Sequence, residues 1–154
     1  MNPSSWPRAV FLVLLLFPAP VLSAQTTAAD STAPPQILLG RFVDDYGNLF
    51  SITRTALDQF PGARYHIREW HPSQQYLIAQ NDSANPAQGG RWTRIDWMTL
   101  EGMEPFTWAF CFSAYDAATP EAAAAVTIAR RETPRTGCNG YPFSRMRPAT
   151  ANGN

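Results

Sequence analysis

The chain has 154 residues and no lysine, because all twelve of its basic residues are arginine. Schiff-base and lysine general-base chemistry are thereby excluded. Twelve acidic residues balance the arginines, so no basic field exists to hold nucleic acid or an anionic membrane surface. Histidine is almost as scarce. His66 and His71 lie five apart, so in an extended segment they point to opposite faces and cannot share a metal. With the two cysteines, Cys111 and Cys138, they cannot complete a tetrahedral zinc shell, and there is no CxxC. GxSxG, HExxH, P-loop and Rossmann fingerprints are missing too. No catalytic residue, metal site or cofactor is therefore assigned.

Long apolar runs are also absent. The longest, residues 9–17 (AVFLVLLLF), falls short of the roughly 20 residues that a spanning helix needs. Arg8 precedes it and PAPVLSA follows, which is the order of a secretory signal peptide over residues 1–24. Its removal takes Arg8 and leaves eleven arginines against twelve acids, a net charge of −1. The expectation is a periplasmic or extracellular protein with no membrane span after cleavage. Residues 25–35 (QTTAADSTAPP) and 148–154 (PATANGN) have the composition of a disordered linker and tail. The folded domain is then residues 36–147. In an exported chain two cysteines point to one disulfide, Cys111 to Cys138. Closing 27 residues stabilises by roughly 3.5 kcal/mol through loop-closure entropy.

Within the domain, short β-type runs alternate with turn residues. Residues 37–44 and 49–54 flank the turn Asp45-Tyr46-Gly47-Asn48, and residues 64–70 and 75–80 flank His71-Pro72-Ser73-Gln74. Residues 91–100 and 106–115 form a third pair, and residues 81–90 (NDSANPAQGG) the longest loop. Residues 55–62 suit one helical or irregular turn. Thr119-Pro120-Glu121 followed by AAAAVTIARR carries start and stop signals for a helix of about a dozen residues. Ala122, Ala125, Val126 and Ala129 would form its buried face. Short strands also have room in residues 55–63 and 139–147, where an Asn-Gly turn is present. The fold expected is mainly β: an antiparallel meander of six to eight strands closing into a small barrel or strongly curved sheet, with a C-terminal helix. A sandwich is the competing architecture.

Parity sorts the side chains. Trp108, Phe110 and Phe112 share one face of their strand, too continuous to be left in water. In RWTRIDW (91–97), Trp92, Arg94 and Asp96 share a face with Met98, so the charges are expected to be partly buried and paired. Two readings stay open. One is a structural Arg–Asp link inside or at the mouth of a barrel; the other is a polar anchor for a ligand's head group. Asp44-Asp45 reads as a turn former ahead of a calcium ligand.

The stretches IAQND (78–82), RWTRIDW, FCFSAYDAATPEAAA (110–124) and GCNGYPFSRM (137–146) together resemble an uncharacterised family of small exported bacterial β-domains. The resemblance covers about 110 residues; it implies a shared fold and a recurrent cysteine pair, and assigns no catalytic residue. The element Gly40-Arg41-Phe42 ahead of a hairpin series also looks lipocalin-like, although Phe42 stands where that pattern has tryptophan.

The function expected is that of an exported non-enzymatic binding domain. It would hold a small apolar or amphipathic ligand in a cup lined by Trp92, Trp108, Phe110 and Phe112, with Arg94 and Asp96 as polar partners. The alternative is a protein-interaction or assembly module at the cell envelope, presenting Trp70, Tyr76 and Trp97 to a protein partner. A hydrolase is a further alternative.

Overall fold

The computed structural model describes residues 32–150. The segment expected to be a signal peptide, residues 1–24, lies outside them, as do residues 25–31 of the expected linker and 151–154 of the expected tail. Eight antiparallel strands follow one another around a closed barrel: β1 (Gly40–Asp44), β2 (Leu49–Ile52), β3 (Ala56–Phe60), β4 (Ala63–His71), β5 (Tyr76–Asn81), β6 (Trp92–Thr99), β7 (Trp108–Ala117) and β8 (Ser144–Pro148). Each strand pairs with the next, and β8 closes on β1 through Phe42 opposite Pro148 and Asp44 opposite Met146. One helix, α1 (Pro120–Ala124), interrupts the meander between β7 and β8.

Local chemistry sets the turns. Asp44 Oδ1 accepts from the backbone N–H of Tyr46 at 2.9 Å and of Asn48 at 2.8 Å, which folds the β1–β2 connection around Gly47 at φ 85°. Period-two alternation then fills the inside. Phe42, Phe50, Ile52, Leu57, Ile67, Trp70, Leu77, Ile95, Trp97, Trp108, Phe110 and Met146 belong to one buried cluster, with Leu38 from the 3-10 turn Gln36–Leu38. An eight-strand barrel is just wide enough for side chains to fill. Here aromatic pairs fill it edge to face: Phe42 on Trp108 at 5.3 Å, Phe50 on Phe110 at 5.6 Å and Trp70 on Trp97 at 5.8 Å. Each such pair adds about 0.5–1.5 kcal/mol beyond its buried area.

Three expectations change and one ambiguity is settled. Of the two readings of residues 55–63, a turn or a short strand, the strand holds: residues 56–60 form β3 and take up no helical turn, because Leu57 is needed on the inner face opposite Ile52 and Tyr65. Residues 36–38 coil into a 3-10 turn ahead of β1, which sends Leu38 into the core. The predicted dozen-residue helix stops after one turn. Thr119 caps it by accepting from the N–H of Ala122 at 3.2 Å, but β-branched Val126, Thr127 and Ile128 favour extension, and Ala129 bridges to Cys138. Its buried residue is Ala123, while Ala122 and Ala125 are exposed. Trp70 and Trp97 are core residues, and Tyr76 is half-buried, so this trio presents no aromatic surface to a partner.

Candidate functional site

RWTRIDW occupies β6, and alternation splits it. Thr93, Ile95 and Trp97 point into the barrel; Trp92, Arg94 and Asp96 point outward, where α1 and the segment after it cover them. Asp96 is 1 % exposed. Arg94 Nε donates to Asp96 Oδ2 at 2.8 Å and its Nη2 to Oδ1 at 2.9 Å. Ser113 Oγ donates to Oδ2 at 2.5 Å, and Arg131 Nη2 to Oδ1 at 3.0 Å. A carboxylate has about four acceptor sites. All are taken.

The two guanidinium groups spend their remaining capacity on the frame. Arg94 Nη1 donates to Ala124 O at the end of α1, and its plane lies 3.9 Å from the centre of the Tyr76 ring, which stacks in turn on His71 at 4.2 Å. Arg131 donates to the carbonyls of Trp97 at 2.7 Å and Gln75 at 2.7 Å, bolting the chain after α1 across β5 and β6. The cluster clamps the excursion between β7 and β8 onto the outer wall.

IAQND builds a second internal network. Asn81 Nδ2 donates to the carbonyls of Gln88 and Tyr115, both at 2.9 Å, while Asn81 Oδ1 accepts from Thr93 at 2.5 Å. Asp82 accepts from the N–H of Ala84 at 2.8 Å and meets His66 Nε2 at 2.8 Å. The Ala84 bond first, then the His66 contact, holds the Asp82 carboxyl below the usual aspartate range. Nearby, Tyr65 has its phenol pushed up by burial. His71 meets Glu69 at 3.0 Å.

GCNGYP supports the third feature. Cys111 and Cys138 are joined, with their Cα atoms 5.5 Å apart. Asn139 (φ 51°) and Gly140 (φ 89°) make the turn that returns Tyr141 to pair with Cys138. Gly137 has no room for a side chain: a Cβ there would lie 1.9 Å from the carbonyl oxygen of Arg130. This folded segment, β7, the β6–β7 connection and the β1–β2 turn enclose a cleft of about 700 Å³. Leu100, Met103, Ala109, Pro142 and Phe143 form its apolar walls, and Arg135 and Arg145 its cationic ones. Arg145 is tied to Asp45 at 2.8 Å and lies over the Phe106 ring at 4.3 Å. Arg135 is exposed and has no hydrogen bond or ion pair among the described residues. A shallower depression of about 350 Å³ lies beside Arg64 and Asp82, but Arg64 is paired with Asp58 at 2.9 Å and Asp82 with His66.

The six residues expected to line one cup lie on two sides of the wall. Trp108, Phe110 and Phe112 face the interior, and Trp92, Arg94 and Asp96 the outside, so the structure brings each trio together and keeps the trios apart. Parity within each strand carries no information on which parity class of β6 faces which of β7; pairing of Asp96 with Cys111 and Trp97 with Phe110 decides it. Sequence reasoning missed Arg131, which reads as a helix stop, and the whole cleft. The signal for Arg131 was the VTI run before it, a poor continuation of a helix. Comparison of the chain with models of protein families, with characterised proteins and with solved structures gives no match. The disulfide is consistent with an oxidising environment.

Proposed function

We propose that this chain is an exported, non-enzymatic binding domain that takes a small apolar or amphipathic ligand in the cleft on the outer wall, with the barrel as its scaffold. One observation carries the reading: apolar walls around about 700 Å³, inside the 300–1,000 Å³ range of ligand sites, beside a guanidinium that nothing else occupies. The motif residues that first drew the eye have a different duty, since the bonding capacity of Asp96 and Asn81 is spent internally. Ser113, a possible nucleophile by type, donates to Asp96 and meets no histidine, which supports a non-catalytic role. The signal-like leader and the disulfide together support a periplasmic or extracellular location. An eight-strand meander that begins at Gly40-Arg41-Phe42 supports the lipocalin-like comparison at the level of architecture.

The test is calorimetric titration of the chain with ten-carbon amphiphiles. Binding that Met103→Glu abolishes without changing the unfolding midpoint is expected, because Met103 is an exposed part of the wall. Binding untouched by that charge would move the ligand elsewhere. The second reading is a protein-interaction module, favoured by Tyr46 and Tyr141, which are 76 % and 72 % exposed and sit at or next to the cleft. Crosslinking that recovers a partner in the wild type, and loses it with Tyr46→Ala and Tyr141→Ala, would support that alternative.

A further inference from the structure

The polar side of the cleft points to a more specific ligand. We propose that the cleft selects amphiphiles with an anionic, carboxylate head, held by the guanidinium of Arg135; this rests on the reading of the cleft as the ligand site. Charge selects the head group. Two cations and one anion line the space: Arg135, Arg145 and Asp45. Asp45 and Arg145 satisfy each other, through 2.8 Å between Asp45 Oδ1 and Arg145 Nη2 and 2.8 Å from the Arg145 backbone N–H to Asp45 Oδ2. The pair contributes no net charge. Arg135 is left over: Glu132, three residues before it, and Glu101 and Glu104, which flank Met103, are exposed and line no part of the cleft.

A guanidinium presents a planar fork that matches a carboxylate with two parallel bonds, a geometry no ammonium or hydroxyl head can return. The backbone that carries it is held in place. Arg135 sits between Thr133 and Thr136, in a segment cross-tied by Thr136 N–H to Thr133 O at 3.0 Å and by Phe143 N–H to Pro134 O at 2.8 Å. The same segment carries Phe143 and Pro142 of the apolar wall. Part of the tail site and the head site are therefore built on one segment, stapled to β7 by Cys138.

The experiment titrates the chain with decanoate, decanol and decyltrimethylammonium at neutral pH, for the wild type and for Arg135→Ala, an exposed position where truncation leaves the fold intact. Decanoate should bind about tenfold or more tighter than decanol, the gain expected of a charge-assisted bond. The cationic amphiphile should bind weakest. Arg135→Ala should bring decanoate down to the level of decanol and leave decanol unchanged. Equal binding of decanoate and decanol by the wild type would overturn the head-group assignment while the apolar cleft stood. A decanoate preference that survives Arg135→Ala would overturn it too. Failure of all three amphiphiles to bind would remove the cleft as a ligand site altogether.

Discussion

Replacing Asp96 by asparagine keeps the volume of the side chain and removes its charge. Arg94, whose side chain is 8 % exposed, then has a buried positive charge without a counterion among the described residues, and Arg131 loses its only anionic partner among them. Removing one member of a buried pair costs about 3–5 kcal/mol, since the remaining charge keeps its desolvation penalty. Asparagine retains one oxygen and can accept two of the four bonds, which places the expectation at about 3–4 kcal/mol. Set against total stabilities of about 5–15 kcal/mol, that is a large fraction. With a urea slope near 1.5 kcal/mol/M, the midpoint should fall by about 2–3 M. The assay is urea unfolding followed by tryptophan fluorescence, with Trp70, Trp97 and Trp108 as buried reporters. Arg64→Ala, which breaks a solvent-exposed pair with Asp58, is the control and should cost no more than about 1 kcal/mol. Should Asp96→Asn lie within about 1 kcal/mol of wild type, the clamp reasoning is refuted.

Gly137→Ala should destabilise by at least about 2–3 kcal/mol, because the new methyl meets the Arg130 carbonyl and the backbone must move; an unchanged midpoint would show that the segment gives way freely. Converting both cysteines to alanine should lower stability by about 3.5 kcal/mol for the 27-residue loop, read from the same unfolding curves, and a midpoint equal to wild type would remove the staple from the account. Asp82 has its folded pKa lowered by the Ala84 and His66 bonds, so its contribution is present above the ordinary aspartate value near 4 and is lost as the pH falls through the folded value. Urea midpoints between about pH 5 and 3 should consequently fall less steeply in Asp82→Asn than in the wild type, and parallel curves would contradict the assignment.

Much of the fold is written in local pattern. Alternation in residues 91–100 and 106–115, the turn at Asp44–Asn48 and the Asn139-Gly140 turn each specify their element without help from the rest of the chain. The length of α1 is set by competing signals: its caps and alanines promise a longer helix, the VTI run opposes it, and the bonds of Arg131 to the carbonyls of Trp97 and Gln75 and of Cys138 to Cys111 hold the chain extended. β3 is ambiguous in sequence, since residues 55–63 leave room for either an irregular turn or a short strand. TALDQF has no strong alternation, and only pairing with β2 and β4 makes it a strand. The sequence pattern showed that Arg94 and Asp96 share a face, but not that this face is the outer one, since that depends on register between strands. The cleft was illegible because Met103, Phe143 and Arg145 come from separate elements that meet only when β8 closes the barrel.

With the interior proposed as scaffold and the outer cleft as the site, amide chemical shifts under titration with decanoate give the most direct test. The shifts are expected at Leu100, Met103, Ala109, Arg135 and Phe143, with the indole N–H of Trp108, buried inside and without a hydrogen-bond partner, left unmoved. Movement of the Trp108 indole together with Phe110 and Ile95, while the cleft amides stay still, would put the ligand inside the barrel and contradict that assignment.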